Sequence, residues 1–220
     1  MFLSNKCISK NASRQLARAF RIALPALILL CSPVAKADLT HLGFTVSDAL
    51  LSAADTSRLE PDMTNSLIEQ INIIDGARLP PDVLAFMKTV KIVLDPELRS
   101  QPGVFAARNG IGEVRLQPAV FSARRPVLLH ELLHAYHFFG ISLQNPEVLA
   151  AFDVARNDPD NMQFRRAHFL QNPKEFFAVT ASIYLSGNVQ QPPFTCAAFA
   201  SKHPAYMRFL EGKFGKRSCI

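Results

Sequence analysis

Two histidines four residues apart, with a glutamate directly after the first, are the residues of this chain best arranged for chemistry: His130-Glu131-Leu132-Leu133-His134. In a helix, positions i and i+4 share one face, so both imidazoles can reach a single cation. Glu131 lies one position along, beside the metal's open side, where it can take a proton from water and later return it to a departing amine. The pattern predicts one zinc ion, His130 and His134 as ligands, and Glu131 as the acid and base of an amide hydrolysis. Zinc lowers the pKa of water to about 7 and polarises a carbonyl, which is the help such a reaction needs. Pro126 suits the first turn of the helix, and no further proline or glycine interrupts it before Gly140.

A catalytic zinc site takes three protein donors and keeps one position open. Extension of the motif to a third histidine fails, because His137 stands where a glycine is required and Gly140 where the histidine is required. His137 is instead expected to support the site or to be partly exposed. Glu175, in Asn172-Pro173-Lys174-Glu175-Phe176-Phe177-Ala178-Val179, has two readings. It can be the third ligand, carried on the first turn of a second buried helix. Alternatively, with Asn172 as the capping residue, it can close a capping box on its own helix. The apolar residues after it favour the ligand. Tyr136, Phe138, Phe139, Phe176 and Phe177 read as core.

These residues must be positioned by elements that the pattern partly reveals. Asn65 to Ile74 has helical spacing and ends at Asp75-Gly76; Pro80-Pro81-Asp82 opens a second helix, Val83 to Val90. Lys91 to Asp95 reads as a short strand. Val104 to Arg108 and Glu113 to Leu116 flank Asn109-Gly110-Ile111-Gly112 as a hairpin, whose second strand could offer an edge to an extended peptide. From Pro126 onward the chain reads as helical, with breaks at Gly140, Asn157–Asp160 and Gly187–Pro193. Helices, a small antiparallel sheet and then helices make an α+β domain over 38–220.

The pairing of His130-Glu131-Leu132-Leu133-His134 with Asn172-Pro173-Lys174-Glu175-Phe176-Phe177-Ala178-Val179 resembles the gluzincin zinc metallopeptidases of the anthrax lethal factor and Mlc titration factor A group. The resemblance implies a single zincin-like domain with a C-terminal helical part carrying the glutamate ligand, Glu175. It spans about Val127 to Phe214; residues 38–90 add nothing to it. In that group a tyrosine seven residues before the ligand glutamate steadies the oxyanion; here the position is His168, whose imidazole can donate to the same charge. A carboxylate often found one turn after the ligand is Val179 here. The rival reading keeps the zinc but makes the cleft a non-catalytic module that holds a peptide or protein.

The bulk properties narrow the setting. The net charge of +6 comes from Lys6, Lys10, Arg14, Arg18, Arg21 and Lys36, since the first 37 residues hold no acid. Removing those six from the 24 basic residues leaves 18 against 18 acidic ones, so nucleic acid is not an expected partner. The basic start, the apolar run Ile22 to Ala35 and Ala35-Lys36-Ala37 form a signal peptide over 1–37, predicting a periplasmic or secreted protein with no stable membrane insertion once the leader is cleaved. The remaining cysteines, Cys196 and Cys219, are then expected as an intramolecular disulfide.

Overall fold

The computed structural model describes residues 38–51, 61–187, 189–217 and 219. The expected leader lies outside them. Leu39–His41 (β1) and Phe44–Ser47 (β2) make a tight hairpin, turned by Leu42 and Gly43 at φ 49° and 80°. Helices Pro61–Gly76 (α1) and Pro81–Thr89 (α2) follow, then strand Lys91–Leu94 (β3). Strands Gly103–Arg108 (β4) and Ile111–Leu116 (β5) form the second hairpin. Its turn residues Asn109 and Gly110 both have positive φ, 54° and 77°, the conformation that a two-residue hairpin loop needs.

Among the described residues the sheet has five strands in the order β1-β2-β3-β5-β4. The fold is α+β, as the pattern predicts, but the sheet is mixed: β2 runs parallel to β3 and β3 parallel to β5, while the two hairpins are antiparallel. Crossover through α1 and α2 produces the first parallel pair; the second arises because β5, not β4, returns beside β3. The strand expected to offer an edge is therefore interior. The edge belongs to β4, and its neighbour β5 is paired on both sides.

The site-bearing half follows as Val127–Tyr136 (α3), a π-helical turn His137–Ile141, Pro146–Asn157 (α4), two short 3-10 turns at Pro159–Phe164 and His168–Leu170, Pro173–Ser186 (α5), Cys196–Lys202 (α6) and Pro204–Phe214 (α7). Helix α3 packs between β4 and β5 on one side and α5 on another, with α1 and α2 also against it. Its Leu128, Leu129, Leu132, Leu133 and Ala135 are all fully buried. A helix enclosed this way cannot rotate to move its histidines without opening the core. Helix α5 is buried from Phe176 to Leu185. It is backed by α6 and α7 through Phe176 against Phe199 and Tyr206, and through Thr180 Oγ1 at 3.0 Å from the Tyr206 hydroxyl.

Candidate active site

The first turn of α3 has no side-chain cap of its own, since Pro126 precedes it. A residue from α1 compensates. Gln70, 1% exposed, accepts from the Leu128 N–H through Oε1 at 3.2 Å and donates from Nε2 to the carbonyls of Arg125 (3.1 Å) and Ser122 (3.4 Å). One buried amide thus satisfies an orphan N–H in the first turn of the helix that bears His130 and ties that turn to the segment before it. Ser66, one turn earlier on α1, exchanges hydrogen bonds with the backbone of Phe121 and ties down the approach to α3. Neither contact has a local sequence signal, because the partners are more than 50 residues apart.

At the other wall, Asn172 caps α5 by accepting from the backbone N–H groups of Lys174 and Glu175 at 3.0 and 3.1 Å. The Glu175 side chain is directed elsewhere. Its Oε2 lies 3.3 Å from His130 Nε2 and 3.2 Å from His134 Nε2, and the two imidazole nitrogens are 3.1 Å apart. His168 Nε2 is 2.6 Å from the same carboxylate oxygen. The structure therefore brings His130, His134, His168 and Glu175 together, with Glu131 lining the same cleft.

The donor set fits a zinc ion. Two imidazoles and one carboxylate are typical zinc ligands, and donors bound tetrahedrally at 2.0–2.1 Å stand about 3.3–3.4 Å from one another. The three separations among His130, His134 and Glu175 are close to that edge length. His130, His168 and Glu175 also lie within 4.8 Å of one another. The first trio matches the tetrahedral spacing, whereas the 2.6 Å contact of His168 is a hydrogen-bond length, too short for a pair of tetrahedral donors.

Electrostatics separate the roles. Burial raises the pKa of Glu175, but hydrogen bonds from His130, His134 and His168 outweigh it and hold the carboxyl far below the usual range. Burial lowers the His130 pKa to about 4, against the opposing pull of Glu175. The hydrogen bond to Glu175 raises the His168 pKa, with burial opposing. Glu131 goes the other way: burial lifts it to about 7, with the positive field of His134 and the peptide N–H of Phe105 restraining the rise. Two glutamates in one site thus have opposite proton affinities, which suits one to bind a cation and the other to exchange a proton.

The site opens into a cleft of about 800 Å³ lined by β4 residues, the start of α3, His168 and the first turn of α5. Phe138 and Phe139 are each 41% exposed beside it, so these two are not core, unlike Phe176 and Phe177. His137 is also not partly exposed. It is fully buried and tilted against Phe177 with ring centroids 4.5 Å apart, and neither ring nitrogen has a hydrogen-bond partner among the described residues. The π-helical turn begins at His137, which continues α3 with right-handed helical geometry.

No family model matches the sequence, and neither does any curated protein. Among solved structures the chain is similar to the Pro-Pro endopeptidase from Paenibacillus alvei, at 17% identity and a TM-score of 0.40 over 74% of this chain and 92% of the other. A likeness that loose does not bear on the chemistry, for which the residues themselves must speak.

Proposed function

We propose that this chain is an exported zinc-dependent peptidase, in which His130, His134 and Glu175 hold the ion and Glu131 exchanges the proton. The observation that carries the reading is the triangle of donors at 3.1, 3.2 and 3.3 Å beside a buried carboxyl whose pKa is raised to about 7. When bound, zinc supplies Lewis acidity toward a carbonyl and makes water easier to deprotonate.

The protein's own groups do the rest. Glu131, poised near neutrality, accepts a proton from the attacking water and delivers one to the leaving amine; a pKa near the working pH serves both directions. His168, half-exposed in the cleft wall, exchanges its hydrogen bond with Glu175 for one to the developing oxyanion. The free edge of β4 aligns the substrate. The bond from Gln117 N–H to Pro102 C=O marks that pair as hydrogen-bonded, so by ladder alternation the peptide groups of Gly103, Phe105 and Ala107 face outward. An extended peptide adding to that edge lies along the cleft.

No helix among the described residues is long and apolar enough to cross a membrane. Cys196 and Cys219 are joined by a disulfide, which agrees with an oxidising destination and with the signal peptide read in the first 37 residues. The test is metal analysis with a peptide-library assay, run beside Glu131→Gln. The expected result is one zinc per chain in both proteins and a loss of at least roughly 100-fold in kcat for the variant. Equal cleavage by both would remove Glu131 from the reaction. Stoichiometric zinc with no cleavage by either would favour the module that only holds its partner.

A further inference from the structure

Strand β4 opens on Gly103, a buried residue without positive φ, so conformational need does not explain the glycine. Space does. A Cβ added at Gly103 would lie 2.9 Å from Glu131 Cγ, 3.1 Å from Leu116 Cδ2 and 3.1 Å from Val127 Cγ1. Leu116 is fully buried and Val127 is 4% exposed, so both are fixed by the core around them. Glu131 has rotatable bonds and borders the cleft, so it is the neighbour that must give way. Two residues along the same strand, the outward peptide N–H of Phe105 is near enough to the Glu131 carboxyl to lower its pKa.

We propose that Gly103 is a positioning residue: the missing side chain forms a seat in which the Glu131 methylenes lie against β4, with the carboxylate held toward the Phe105 N–H. The strand edge that aligns substrate is thus also the surface that aims the proton-transferring group. The seat is a matter of packing, and its catalytic consequence rests on the peptidase reading above. Any side chain at 103 pushes the Glu131 carboxylate off its line while leaving His130, His134 and Glu175 untouched. Displacements near 1 Å at a reacting group cost on the order of 100-fold.

The experiment compares Gly103→Ala with Gly112→Ala in the full chain. The latter is a matched intrusion, whose Cβ would meet ring atoms of Phe139 at 2.7 Å and Phe105 at 2.8 Å but not Glu131. For Gly103→Ala the expected result is a kcat lower by roughly 10–100-fold, with KM, zinc content and Tm close to wild type. A second measurement reads the seat without catalysis. In the amide spectrum of the otherwise wild-type protein and of Gly112→Ala, adding Glu131→Gln shifts the Phe105 resonance. In Gly103→Ala it does not. A wild-type kcat, a kcat loss accompanied by lost zinc or Tm, or a Phe105 amide that still responds in Gly103→Ala each overturns the proposal. If the wild type cleaves nothing yet shows the expected amide pattern, the peptidase reading fails and the seat stands.

Discussion

Glu131, Glu175 and His137 are all ionisable groups in or behind one cavity, and their surroundings set three different outcomes. Glu175 is held as an anion by imidazoles, Glu131 is pushed up by burial, and His137 is enclosed with no partner for either nitrogen among the described residues. Burial lowers the His137 pKa to about 4, with the fields of His134 and Lys174 adding to it. Above pH 6.5 the imidazole is neutral in folded and unfolded chains alike, and stability does not depend on its titration. Below that, the unfolded chain takes up a proton that the folded one refuses, so stability falls by about 1.4 kcal/mol per pH unit until about pH 4. His137→Phe keeps the ring against Phe177 and removes both stranded nitrogens. It should raise Tm at pH 8 and raise it further at pH 5; a substitution that lowers Tm at both would show that the nitrogens have a partner. The sequence could rule His137 out as a ligand from its spacing. Its burial could not be read there, because it is covered by Phe177 of a helix much further along the chain.

At the scale of elements, the parts of the site whose signals are local were legible. Pro126 and the His130-Glu131-Leu132-Leu133-His134 run announced α3, Asn172-Pro173 announced α5, and Asn109-Gly110 announced the β4–β5 turn. What depends on distant partners was not. Leu42-Gly43 lacks the asparagine or aspartate that flags a hairpin, so β1 and β2 escaped notice. Nothing within β5 says that β3 will pair with it, so the open edge was assigned to the wrong strand. Gln70 is the clearest example, because a glutamine on an amphipathic helix looks like surface until α3 is set against it. Its bond to Leu128 N–H replaces a missing cap, so Gln70→Ala leaves that N–H without its acceptor, while the Ser122 and Arg125 carbonyls keep the N–H groups of Arg125 and Val127. We expect a loss of about 2–3 kcal/mol in denaturant unfolding and a lower zinc affinity, because His130 lies within the first turn that frays. Unchanged stability would mean that water replaces the amide.

Taken whole, the molecule packs its last helix against the two helices that carry the histidine and glutamate cluster. Phe214 at the end of α7 packs on Tyr136 of α3 and Phe177 of α5, and the Tyr184 hydroxyl donates to the Gly215 carbonyl at 2.6 Å. The Cys196–Cys219 bond closes this tail onto the start of α6 across 23 residues, a loop whose constraint is worth about 3 kcal/mol in the entropy model. The proposed zinc donors lie on α3 and α5, outside the loop that the bond closes. Cys219→Ser, or reductant, should therefore lower Tm while leaving metal stoichiometry unchanged; loss of zinc on reduction would show that the tail also maintains the site. If the ion stays bound on reduction, the sulfur bridge gives the molecule an order of maturation. A chain still bathed in thiols can load its ion while its tail is loosely fastened, and reaches full robustness only after oxidation has sealed the last turn.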